Sequence, residues 1–313
     1  MRMEKRFTLA MLHSVFLGTL TLLCMLFFSA AHAQPDLVTE SKTTVAPEML
    51  VAIYNQDDSS IAKRTIDDLM VAFDEHDILS VRFSDLSSLT DASLPISKVL
   101  AIGNDACEDL VSIAFNYEII CSVVNHFYRP GDISLGIEYL PLEVPALEFF
   151  KLAKLLTPKA ETIGILLGPS SHHRQSFYTS LANYAGMKSE FASIDLQSNP
   201  VMDLDPAMRK SQVFMVLPDQ LEFNRAVAPW VLQLSLRYRM PLLAYSFNYA
   251  NAGALVSLYQ SREDVVENIL NHIKDIKKPL KYSIRINYAV AKNLGLELLE
   301  EKEYLAMLRG GGE

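Results

Sequence analysis

MPLLAYSFNYANAGALVSLY (Met240–Tyr259) decides how this chain is read. Leu242, Leu243 and Ala244 form a short apolar strand that runs into a polar, aromatic loop. Ala252-Gly253 follows, and then a second apolar strand from Ala254 to Tyr259. Beyond it lie a long helix and a strand–helix hook ending at Gly295. A strand that ends in such a loop presents side chains at the carboxyl edge of a sheet, where open α/β sheets bind ligands.

The same rhythm runs through the rest of the chain. Strands are expected at Leu50–Tyr54, Ile78–Phe83, Lys98–Gly103 and Glu118–Val124. Ile66, Leu69, Met70 and Phe73 share one face of the first helix. Asn104 or Asp105 caps the helix that runs on to Phe115. The rhythm breaks between Asn125 and Glu143, where Pro130, Gly131, Gly136 and Pro141 leave few helix signals. That stretch reads as a crossing between two halves. After a helix from Pro145 to Leu156 the pattern restarts, with strands at Thr162–Leu167, Glu190–Ile194 and Val213–Leu217. Phe177, Leu181 and Tyr184 mark a helix closed by Gly186. Another helix spans Glu222–Tyr238, with Pro229 at a kink or early turn. Alternating strands and helices predict parallel sheets with helices on their faces.

At 313 residues the chain is long enough for two lobes with cores of their own. Its net charge of −9 and the lack of a basic stripe argue against nucleic acid as a partner. The first 33 residues combine Arg2, Lys5 and Arg6, an apolar run from Phe7 to Phe28, and Ala31-His32-Ala33. That is the pattern of a secretory signal peptide, and the expected location is the periplasm. The run is also long enough to span a bilayer, so an uncleaved anchor is the other reading. Residues 34–47 read as a flexible lead-in. Beyond the leader only Cys107 and Cys121 remain. An exported chain permits a bridge between them, and two buried thiols fit the sequence equally well.

Four stretches, in order, resemble the substrate-binding proteins of ABC transporters. They are KAETIGILLGPSS (Lys159–Ser171), VFMVLPDQLEFN (Val213–Asn224), Met240–Tyr259 and INYAVAKNLGLEL (Ile286–Leu298). The resemblance is to the branch with the type I periplasmic-binding-protein fold that includes aromatic amino-acid binders. It implies two Rossmann-like lobes with parallel sheets. Lobe 1 would take residues 48–125 plus 253–280, and lobe 2 residues 126–252 plus 281–313. The lobes would close by hinge motion near Asn125, Tyr245–Gly253 and Lys281. The implied partners are a small-molecule solute and an ABC permease in the inner membrane. Gln260 stands where the family usually carries an acidic residue, and Val265 or Val266 where a glycine is common.

The candidate ligand-binding residues sit at strand ends. Asn55 and Gln56 follow the first strand, Asn104 and Asp105 the third, and His126 the fourth. Ser170 and Ser171 precede a helix start suited to a carboxylate. Asp219 is placed to receive an ammonium group. Ser246, Phe247 and Tyr249 would line the last crossing, the two aromatics as a flat wall. Several of these residues also suit helix capping, Asn104, Asp105, Ser170 and Asp219 among them. His172-His173 lacks companions at metal-ligand spacing, so no metal and no cofactor are expected. The chain carries no G-x-S-x-G elbow, P-loop, G-x-G-x-x-G or H-E-x-x-H, so it reads as a binder and not an enzyme. The expected function is solute capture in a cleft between lobes for an ABC importer. The other reading is a protein that kept the fold, lost transport, and binds an envelope receptor or sensor.

Overall fold

A computed structural model describes residues 49–56, 60–90, 94–113, 117–124, 136–195 and 199–310. The leader, the lead-in, the hinge expected near Asn125, and His126 lie outside the described residues.

Two sheets organise the chain. The first joins β1 (Met49–Tyr54), β2 (Ile78–Phe83), β3 (Lys98–Ile102), β4 (Glu118–Val124) and β5 (Ile137–Pro141) in the order β2-β1-β3-β4-β5, all parallel. Its helices are α1 (Ser60–Glu75), α2 (Leu86–Thr90) and α3 (Asn104–Leu110). After α4 (Ala146–Leu156) come the strands of the second sheet. These are β6 (Thr162–Leu167), β7 (Lys188–Ser193), β8 (Val213–Val216), β9 (Leu242–Ala244), β10 (Val256–Tyr259) and β11 (Ser283–Ile286). Their order is β11-β10-β9-β8-β6-β7, and only β11 is antiparallel. The helices are α5 (Gln175–Tyr184), α6 (Pro200–Lys210), α7 (Leu221–Tyr238), α8 (Phe247–Ala252), α9 (Arg262–Ile273), α10 (Tyr288–Leu294) and α11 (Glu301–Gly310). Apart from β11, the two sheets share one strand order.

Both sheets are covered on both faces, which is why the inner strands β1, β3, β6, β8 and β9 read as apolar runs instead of alternating ones. The period of two survives in where each side chain goes. Val51 and Ile53 pack under α1 and α9, whereas Ala52 and Tyr54 pack on the side of α3. In the second sheet Val213 and Met215 face Tyr178 and Tyr304, while Phe214 and Val216 face Val227 and Val231. Among the described residues no helix is long and apolar enough to cross a membrane.

The boundaries drawn from the sequence differ from these strand pairings in two places. Residues 137–141, read as part of lobe 2, pair with β4 in the first sheet. Residues 256–259, read as part of lobe 1, pair with β9 and β11 in the second. Among the described residues beyond β6, only α9 returns to the first lobe, where Val265, Ile269 and Ile273 join its core. Strand partners are set by packing between distant segments, which periodicity cannot report. The lobe crossings are therefore Pro141–Pro145, Gln260–Ser261 and Lys274–Tyr282. Tyr245–Gly253 is not a crossing, because both its flanking strands belong to one sheet. Nor is it all loop: residues 247–252 form α8, closed at Gly253 with φ 126°.

Three local expectations also change. Gly103, which has no side chain to cap with, occupies the N-cap of α3 with φ 95°, so Asn104 and Asp105 are its first residues. In α5 the buried face is Tyr178 and Ala182, leaving Phe177 and Tyr184 exposed. The helix at Pro200–Lys210 has no counterpart in the sequence reading; Asn199 caps it by accepting from the Val201 N–H. Cys107 on α3 and Cys121 on β4 are joined by a disulfide, with Cα atoms 5.6 Å apart.

Candidate functional site

Strand order locates the site. Each sheet builds outward in both directions from its first strand, so the crevice lies between the first and third strands of each lobe, at their carboxyl ends. In lobe 1 these are β1 and β3, followed by Asn55-Gln56 and Asn104-Asp105. In lobe 2 they are β6 and β8, followed by Ser170-Ser171 and Asp219. The crossings leave from the carboxyl ends of β5 and β10, so both carboxyl edges lie toward the junction of the lobes.

In lobe 2 the two loops are knitted together by Asp219. Its Oδ1 accepts from the Ser170 N–H at 3.0 Å and the Gln220 N–H at 2.8 Å. Its Oδ2 accepts from the Ser171 hydroxyl at 2.6 Å. The same hydroxyl oxygen accepts from the Gly168 N–H at 2.9 Å, which closes the β6 turn on itself. Position 168 must be glycine for this approach. A Cβ there would stand 2.4 Å from the Phe223 ring and 2.8 Å from the Asp219 carboxyl carbon. Asn224 reaches back to the Asp219 carbonyl at 2.7 Å. Asp219 and Ser171 thus act first as a clasp between loops.

Around the clasp stands a group of phenols and charges. Tyr245 directly follows β9, and its ring lies 5.4 Å from that of Tyr249 on α8. Burial, then the carboxylates of Asp219 and Glu143, push the Tyr245 hydroxyl up to about 12. Burial also raises Tyr178, against the pull of Arg174, with Asp219 and Glu143 adding to the rise. Arg174 lies 4.7 Å from the Phe177 ring centroid and 5.7 Å from that of Tyr178. Burial raises Tyr249 further, and its hydroxyl is enclosed with no hydrogen-bond partner among the described residues. Glu143, in the first crossing, therefore shares one electrostatic neighbourhood with Asp219, Tyr178 and Tyr245. An acidic, phenol-rich face of this kind suits a small solute with an amine and an apolar or aromatic body.

The remaining sequence candidates fall as follows. Asn55 lines a cavity of about 390 Å³ with Lys63, Asp67 and Arg82. Gln56 is exposed and donates to the hydroxyl of Tyr54, which itself donates to Asp109 at 2.8 Å. Asn104 is half-buried and Asp105 exposed. Ser246 holds the N-cap position of α8 without a side-chain bond to it. Phe247 and Tyr249 do not share a wall, because residues two apart on a helix point to nearly opposite sides. Phe247 packs 5.7 Å from Tyr259, with the Arg285 guanidinium 5.8 Å from its ring. Tyr249 is buried among Leu242, Ala244 and Ala254 in the lobe 2 core. The sequence reading did not single out Glu143, Arg174, Tyr178 or Tyr245. Tyr245 had a usable signal, since it directly follows a three-residue apolar strand. Among the described residues no cluster of His, Cys, Asp or Glu suits a metal ion.

No protein-family model matches the chain, and a search of curated proteins finds no match. Solved structures do match. A ligand-free, open substrate-binding protein with adhesive properties from Clostridium difficile superposes with TM-score 0.60 at 16% identity, covering 81% of this chain and 97% of that one. An ABC domain in complex with L-Trp from Streptococcus pneumoniae gives 0.51 at 15% identity, covering 82% and 97%. A conserved domain protein from Vibrio cholerae gives 0.53 at 16% identity over the same shares. The chain therefore has the two-lobed α/β fold of ABC-transporter substrate-binding proteins, of the type I periplasmic-binding architecture.

Proposed function

We propose that this protein is exported and captures a small polar solute, of the amino-acid class, between its lobes for delivery to an ABC permease. It binds and releases; it does no chemistry. The observation that carries this reading is the Asp219–Ser170–Ser171 clasp at the strand crevice of lobe 2, with Arg174 against Tyr178 and the Tyr245–Tyr249 ring pair as its aromatic surroundings. Asp219 holds the loops in place. Glu143 and Tyr245 contact the solute, with Tyr178 as a side wall. The first lobe supplies Asn55, Gln56, Asn104 and Asp105, as expected from the strand ends. The disulfide agrees with an oxidising compartment outside the cytoplasm. The L-Trp complex of a protein with this fold supports an amino acid as the first solute to try.

The test is a thermal-shift screen against amino acids, sugars and nucleosides, because a ligand of the native state raises the melting temperature with concentration. The expected result is a saturable shift with an amine-bearing solute that Glu143→Gln or Tyr245→Phe weakens at least about tenfold in affinity, near 1.4 kcal/mol. One observation favours a second reading, in which the fold is kept and transport is lost. The Asp219 carboxylate is already engaged by its own loops. A flat screen on well-folded protein favours that reading, with an envelope receptor or sensor as partner.

A further inference from the structure

Two side-chain amides lace all three lobe crossings together. Gln260, in the second crossing, donates from Nε2 to the carbonyls of Pro141 at 2.8 Å and Leu142 at 3.0 Å, both at the first. Its Oε1 accepts from Asn268 Nδ2 at 2.8 Å. That same Nδ2 donates to the Lys281 carbonyl at 2.9 Å, and Asn268 Oδ1 accepts from the Lys281 N–H at 2.8 Å, in the third crossing. Both amide nitrogens thus use both their hydrogens. The Lys281 N–H can donate only to an oxygen, which fixes the orientation of Asn268 and, through it, of Gln260. Asn268 is only 4% exposed. One helical turn earlier, the buried Asp264 forms a capping box with Ser261 and accepts from Ser283 at 2.6 Å. The second crossing is thereby tied to the first strand residue after the third.

We propose that Gln260 and Asn268 are positioning residues for solute capture, an amide latch that makes the three crossings bend as one and sets the balance of open and closed lobes. The inference rests on reading the chain as a two-lobed solute binder. A fully satisfied buried polar network is stiff and tolerates few alternative geometries. Lobe closure concentrates its backbone change in a few residues at the crossings. Here no crossing can rotate alone without leaving a carbonyl or N–H unpaired. Position 260 must be Gln and not Glu, because a carboxylate has no hydrogen to give to the Pro141 and Leu142 carbonyls.

The test measures interlobe distances in the full-length chain without added solute. Spin labels go at Leu79→Cys on β2 and Leu236→Cys on α7, both exposed, in a Cys24→Ser background. The parent is expected to give a narrow distance distribution. Asn268→Asp keeps the acceptor for Lys281 but loses both donated bonds, and Gln260→Glu loses its two. Each is expected to broaden the distribution, and exchange of the Lys281 amide in Asn268→Ala to speed at least about tenfold. If Asn268→Ala fails to fold, Gln260→Ala at its half-buried site takes its place, read by distribution width. Folded variants that keep the parent width while only their melting temperature falls overturn the latch. Since no ligand is used, a protein that binds no solute breaks the capture reading without touching this result.

Discussion

The two lobes share a strand order and hold their crevice loops by different means. In lobe 1 the helix after the third strand is seven residues long, begins at a glycine N-cap, and is tied to β4 by the Cys107–Cys121 disulfide. In lobe 2 the equivalent β6 and β8 loops are joined without a covalent bond, through Asp219, Ser171 and the close approach at Gly168. Each sheet carries a core on both faces, but the second sheet has an extra strand and, on the side of α4 and α5, a larger core. A short helix over a smaller sheet gains from a covalent staple, whereas a larger core can hold its loops with hydrogen bonds alone. The lesson is that equivalent positions need not do equivalent work. Lobe 2 presents tyrosines and carboxylates on a rigid base, and lobe 1 presents amides beside a stapled helix.

The largest expected effect is at the lobe 2 clasp. Asp219→Ala removes the acceptor of the Ser170 and Gln220 N–H groups and of the Ser171 hydroxyl. At roughly 1–2 kcal/mol for each bond to a charged acceptor, the loss is about 4 kcal/mol, read from urea unfolding. An Asp219→Ala protein as stable as the parent would mean that the clasp contributes nothing to holding the lobe 2 loops. Next is the staple. The bridged residues are 14 apart in sequence. Replacing both cysteines by alanine should cost about 3 kcal/mol, with exchange rising first in lobe 1. A uniform rise across both lobes would mean that they unfold as one unit.

Gly168→Ala ranks third, at about 2–3 kcal/mol, because the new methyl meets the buried Phe223 ring and Asp219. A crystal structure of that variant should show the β6 turn displaced. The smallest effect is a pH dependence. Tyr245 holds its proton to about 12 in the fold and to about 10 unfolded. The unfolded chain therefore loses its proton first as pH rises. Tyr245 contributes fully below pH 10 and loses its share between about 10 and 12, on the order of 2 kcal/mol. Tyr245→Phe should flatten the alkaline limb of stability against pH, and an unchanged limb would place Tyr245 in contact with solvent.

Much of the fold was legible because most inner strands are apolar runs set between helices, and the edge strand Ile78–Phe83 follows directly on the end of its helix. Ile78–Phe83, Glu118–Val124 and Thr162–Leu167 fall where the pattern places them. The face of α5 was not legible. Phe177 and Tyr184 are aromatic and lie at helical spacing with Leu181, yet the sheet takes the opposite side through Tyr178 and Ala182. The loop at Tyr245–Gly253 misled for a similar reason. Its polar, aromatic composition hides a six-residue helix that sends Phe247 and Tyr249 to different neighbours. At the candidate site, Asp219 and Ser171 were visible as strand-end residues. Their engagement with each other was not, because it joins loops 48 residues apart.

Composition and local pattern, by themselves, determined an α/β chain of two halves, the positions of most strands, and the set of residues at their carboxyl ends. Those properties depend on side-chain period and turn chemistry within a few residues. Only the tertiary structure decided that Cys107 and Cys121 are bonded, and that β5 belongs to the first sheet and β10 to the second. It also decided that Glu143 shares a neighbourhood with Tyr245, and that Gln260 and Asn268 bind three crossings together. Each of these is a contact between segments far apart in the chain. Which of the many possible partners meet is set by the packing of whole sheets and helices, which no local window contains.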